Sequence, residues 1–153
     1  MIVLPGYGEM IDLRWIAFGV ALSVPYVLVG RALAARAGRT AARAGGADRA
    51  WWWGGLVVAA LAYVGFALAR SAPPLAVLFE AGGVVAYGAL GWLGVRGDLR
   101  WLAGAWLLHA VWDLGLHGPG GFALAPAWYV WACVGFDLVV GGVLLVTRPH
   151  AAG

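Results

Sequence analysis

Two stretches of the chain, LVVAALAYVGFALA at 56–69 and FDLVVGGVLLV at 136–146, are apolar on every face save for one Asp, and this restricts the fold more than any other feature. A helix that is apolar all round must be covered by protein or by lipid. The rest of the chain is too small and too apolar to cover them. Of 153 residues, 63% are hydrophobic and 11% charged, the mean hydropathy is +0.87, and a protein of this length leaves a large part of its surface exposed. The solvent for that surface is therefore lipid. A transmembrane barrel requires alternating polar and apolar residues, which these runs lack, so the expected fold is an all-α polytopic bundle forming one domain over 1–153.

Crossing about 30 Å of hydrocarbon takes roughly 20 residues, and five segments qualify: Ile11 to Val29, Trp51 to Ala69, Leu75 to Val95, Leu99 to Leu116 and Ala125 to Val146. The first residues lack the basic start of a signal peptide, so the first span is expected to stay in the mature protein. Cytoplasmic loops collect Arg and Lys, and this chain has ten Arg and no Lys. Arg31, Arg36, Arg39, Arg43 and Arg49 lie between spans one and two, Arg96 and Arg100 between spans three and four, and Arg148 after span five, leaving Arg14 and Arg70 for the other side. The N-terminus is thus expected outside and the C-terminus in the cytoplasm. That placement explains the formal charge of +3 without a nucleic-acid partner; the partners expected are membrane lipid and a second copy or a larger membrane complex.

Trp51, Trp52 and Trp53 at the start of span two read as an interfacial aromatic belt. Pro25 should kink span one, Pro73-Pro74 should open span three, and the intramembrane glycines should let helices approach closely. Cys133, the single cysteine, excludes an intrachain disulfide.

Ionisable side chains inside the spans are costly unless partnered. WLLHAVWDLGLH places His109, Asp113 and His117 at intervals of four on one face of span four. Span five does the same with Tyr129, Cys133 and Asp137, and Glu80 stands in span three. A rise of 1.5 Å per residue puts Glu80 and Asp113 roughly 8 Å below the outer face and His109 and Asp137 near mid-membrane, so these groups converge in the outer half of the bundle. Asp113, one turn from both histidines, is expected to hold a ring nitrogen of either. Glu80, His109, Asp113, His117 and Asp137 are the candidate metal ligands, for Zn, Fe or Mn, with Tyr129, Cys133 and Trp112 as possible supports. The same groups suit a proton or ion path, or a hydrogen-bonded network that only holds helices together.

The run from Gly91 to Gly141, through HAVWDLGLH and CVGFD, is similar to the C-terminal half of a family of small bacterial integral membrane proteins of unknown function. The likeness rests on His109, Trp112, Asp113 and His117 as HxxWDxxxH, a short Gly-Pro loop, and Cys133 and Asp137 as CxxxD; Glu80 looks like the acid that family carries in an earlier span. Where the family has a His-His pair, this chain has Leu116-His117. The resemblance implies a shared polar site and a multi-pass place in a bacterial cytoplasmic membrane, and it names no reaction. The readings open at this point are a metal-dependent membrane enzyme, an accessory subunit of a membrane complex, and an ion or proton carrier. Reporter fusions after Gly46 and after Gly120 test the topology: they should report opposite sides, and two cytoplasmic reports would overturn the five-span assignment.

Overall fold

In a computed structural model, which describes residues 12–37, 47–119, 121–122 and 124–147, the described chain is all-helical. The helices are α1 (Leu13–Ala37), α2 (Ala47–Ala69), α3 (Pro74–Arg96), α4 (Leu99–Trp112), which runs on into a single π-helical turn at Asp113–His117, and α5 (Ala127–Val146). Four of these, α1, α2, α3 and α5, are long and apolar enough to cross a membrane. The α-helical part of α4 has 14 residues, a length of about 21 Å, and the π turn carries it further.

Local chemistry sets the boundaries. Pro74 occupies the first turn of α3, where its missing N–H costs least. At the other end, Gly97 donates to the Leu93 carbonyl, and the Arg49 guanidinium donates to the carbonyls of Gly94, Val95 and Gly97 at 3.2, 3.3 and 2.6 Å. A cation over the last carbonyls answers both the unpaired acceptors and the helix dipole. Asp98 caps α4 by accepting from the Arg100 N–H at 2.9 Å. α1 continues unbroken through Pro25.

Consecutive helices run antiparallel. Tyr26 of α1 stacks on Trp51 near the start of α2, Trp53 of α2 donates to the Gly88 carbonyl in the second half of α3, and Gly94 of α3 lies against Leu102 of α4. At the other end of α3, Glu80 reaches His117. α1 runs beside α5 in the same direction, with Trp15 on Trp128 and Tyr26 on Phe136. Arg31, Arg36, Arg49, Arg96 and Arg100 therefore gather at one end of the bundle, and Arg14 and Arg70 at the other.

The core holds Leu56, Ala60, Leu102, Trp106, Val140 and Leu144, whereas the outer surface carries Leu28, Val58, Leu78, Val85 and Val111, each more than half exposed. Such a surface suits lipid contact. Trp51–Trp53 do not form an outward belt. Trp52 is buried, Trp51 donates to the Tyr26 carbonyl, and Trp53 packs on Trp92. The indole N–H groups of Trp51 and Trp53 find interhelical acceptors, and Trp52 packs edge-on to Tyr26, so these residues join helices.

Close packing of α1 on α5 rests on two glycines. A Cβ at Gly19 would meet the Ala132 carbonyl, and one at Gly135 the Ile16 carbonyl, whereas at Gly82 it would meet nothing. Backbone cannot yield as a side-chain tip can, and overpacking typically costs about 1–3 kcal/mol. Gly135→Ala should lower stability by that amount in detergent thermal unfolding, while Gly82→Ala should leave it unchanged.

Candidate functional site

Five ionisable side chains are buried among α3, α4, its π turn and α5: Glu80, His109, Asp113, His117 and Asp137. They form two neighbouring groups. In the deeper one, the ring of His109 donates through Nδ1 to Asp137 Oδ2 at 2.7 Å, and Asp113 Oδ2 lies 3.6 Å from the same nitrogen. The carboxylate only accepts, so the proton of this bond belongs to the ring. His109 and Asp137 each stand about 15 Å along their helices, near the middle of the bundle.

The second group lies toward the α2–α3 end. His117 Nε2 is 3.3 Å from Glu80 Oε1, and its Nδ1 is 3.3 Å from the Phe122 carbonyl. Asp113, expected from the sequence to hold a ring nitrogen of either histidine, lies 3.6 Å from His109 and hydrogen-bonds neither. The helix widens to a π turn at Asp113–His117, whose bonds run i→i+5, so the four-residue spacing no longer aligns Asp113 with His117. His117 meets α3 instead.

Tyr63 of α2 links the groups, with its ring stacked on His117 at 4.3 Å and edge-on to His109 at 5.9 Å. Tyr87 of α3 closes another side, edge-on to His109 at 5.2 Å. Neither tyrosine stands out in the sequence, where each is one aromatic in an apolar span; only the rotational phase of α2 and α3 brings them here. Of the other sequence candidates, Tyr129 donates to the Ala59 carbonyl at 3.3 Å, and Trp112 is half-buried, stacked on Phe79 and edge-on to Tyr87. Cys133 is buried with a free thiol one turn before Asp137. These three border the polar groups without joining them.

The hydrogen bonding is incomplete. Among the described residues, His109 Nε2, both Asp113 oxygens, Asp137 Oδ1, Glu80 Oε1, His117 Nε2 and the Tyr63 hydroxyl are buried without a hydrogen-bond partner. Buried polar groups are nearly always paired, and exceptions call for an explanation. The acids are also unbalanced, since among the described residues no Arg is buried with them. Among the described residues, His109, Asp113 and Asp137 are the group whose potential ligand atoms all lie within 4.8 Å of one another. An ion held through Nδ1 would take the place of the ring proton in the bond to Asp137, with Asp113 Oδ2 3.6 Å from the same nitrogen.

No protein-family model matches the chain, and no curated protein or solved structure matches it either.

The bond between His109 and Asp137 is short, at 2.7 Å, and joins α4 to α5 with both side chains buried, so it belongs near the strong end of interhelical bonds in membranes, about 1.7 kcal/mol, against an average of about 0.6. Asp137→Ala should therefore lower thermal stability in detergent by about 2 kcal/mol. Tyr129→Phe, which loses one longer neutral bond, should cost no more than about 0.6 kcal/mol.

Proposed function

We propose that this chain is a five-span protein of a bacterial cytoplasmic membrane that binds one divalent cation through His109, Asp113 and Asp137 in the outer half of the bundle and uses it in catalysis. The observation that carries this reading is the buried His/Asp/Asp group, whose ligand atoms lie within 4.8 Å while both Asp113 oxygens lack partners. Charge supports it. Two carboxylates and one neutral imidazole balance a divalent ion, whereas two carboxylates facing each other in hydrocarbon without one are costly. Nitrogen and oxygen donors without thiolate suit Zn, Mn or Fe. Such an ion acts as a Lewis acid or lowers the pKa of bound water.

Glu80 and His117 stand next to this group, connected to it by the Tyr63 ring, and are placed to give or take a proton for chemistry at the deeper site. The five-span topology draws on the alternating helix directions and on the arginines gathered at one end, which the positive-inside rule assigns to the cytoplasm. α4 with its π turn then serves as the fourth crossing, shielded by its neighbours.

A proton path is the second reading, favoured by the same proximity of the Glu80–His117 and His109–Asp137 pairs. Metal content separates the two. Purified wild-type protein should carry close to one Zn, Mn or Fe per chain, and Asp113→Asn should reduce occupancy by at least about tenfold, the scale of disrupted metal-site carboxylates. Wild-type protein that stays metal-free after supplementation would overturn the metal reading.

A further inference from the structure

Beside the His109/Asp113/Asp137 group stands a pair whose bonding is unfinished. His117 Nδ1 lies 3.3 Å from the Phe122 carbonyl. A carbonyl only accepts, so the proton sits on Nδ1 and the neutral ring presents a bare lone pair at Nε2. Nε2 faces Glu80 Oε1 at 3.3 Å. Both atoms are buried, and neither has a hydrogen-bond partner. Among the described residues no Arg is buried with them, so two acceptors meet out of water with no donor between them.

The spacing points to what belongs there. Where a ring proton is shared, between His109 and Asp137, the two atoms stand 2.7 Å apart. Glu80 and His117 stand wider and make no hydrogen bond, so the ring axis points beside the carboxylate oxygen and not straight at it. Nitrogen and oxygen ligands of a tetrahedral ion, with bonds of about 2.0–2.2 Å, lie about 3.4 Å apart, and each points at the ion instead of at the other. A histidine that holds a metal commonly donates its other ring N–H to a backbone carbonyl, as His117 does to Phe122. Imidazole with carboxylate favours zinc over magnesium or calcium.

We propose that Glu80 and His117 form a second, weaker zinc site, which ties α3 to the π turn and, through the Phe122 carbonyl, to the loop that follows. Two side-chain ligands against the three of the deeper group make it the weaker of the two, so its ion is lost on purification and returns when zinc is supplied. Tyr63, whose ring stacks on His117, adds a buried hydroxyl that is also unpartnered. The site does not depend on the deeper ion. Its consequence rests on the proposed function: an ion held by Glu80 and His117 occupies the lone pairs that otherwise carry protons, so zinc in excess stops proton delivery to the deeper group.

The test is equilibrium dialysis of the chelated, untagged full chain in lipid nanodiscs against zinc, with bound metal counted by mass spectrometry. Wild-type protein should take up two ions in two steps. Glu80→Gln and His117→Gln, which keep polarity and much of the volume, should each weaken the second step by at least about tenfold and leave the first in place. Asp137→Asn should do the reverse, and this keeps the two claims apart: if the deeper group holds no ion, wild-type and Asp137→Asn protein still bind one that Glu80→Gln weakens. Binding to the folded state raises its stability, so zinc should also raise the Tm of Asp137→Asn protein but not that of the same protein carrying Glu80→Gln as well. No uptake of zinc, or uptake with unchanged affinity in both Glu80→Gln and His117→Gln, would overturn the inference.

Discussion

In hydrocarbon, an ionisable side chain must find its partner within the protein, and in this bundle that requirement falls on the contact of His109 with Asp137. The contact fixes α4 against α5 at mid-depth, with both residues fully buried. Around it the other helices are arranged by weaker means. Tyr63 and Tyr87 lay ring edges against His109, Trp106 donates to the Trp52 carbonyl at 3.2 Å, and glycines let α1 lie directly on α5. Apolar burial alone would not specify this arrangement, because lipid tails are as apolar as the helix faces. The polar contacts and close backbone approaches specify which faces turn inward.

The sequence makes the helical class legible because nearly every long segment is apolar on all sides, and it makes the polar group legible because each charge stands out against that background. Glu80, His109, Asp113, His117 and Asp137 do converge. Depth, counted along antiparallel helices, was enough to bring them to one region. Their pairing was not legible. Spacing of four residues assumes α-helical geometry, and the π turn at Asp113–His117 breaks that assumption between Asp113 and His117. The roles of Tyr63 and of Trp51–Trp53 were also hidden, since an aromatic in an apolar span carries no mark of whether it faces lipid or a neighbouring helix.

The two ends of the molecule differ in how they are finished. At the arginine-rich end, Arg49 closes the C-terminus of α3 with three carbonyl contacts, and Asp98 closes the N-terminus of α4. Backbone groups at the turn from α3 to α4 are thus met by charged side chains, and the interior beneath is packed with Trp, Leu and Ala. At the opposite end, the second polar pair lies beneath the loop that follows His117, whose Phe122 carbonyl meets His117 directly. The second polar pair and this loop thus share one end of the protein, while the other end is packed with apolar and aromatic side chains.

The π turn gives α4 a rotary character. Up to Trp112 the helix is held by Leu102, Trp106 and His109 in the core, so its phase there is fixed. From Asp113 onward, a π path advances each residue by a smaller angle than an α path does, and over five residues the difference comes to roughly a quarter turn. His117 faces Glu80 and Tyr63 at the end of that slower winding. Rewinding the same five residues as α-helix would swing the imidazole away from both while leaving His109 on Asp137. The two histidines of one helix are in this sense geared separately, and the gearing is carried by backbone hydrogen bonds that a substitution of either side chain leaves in place.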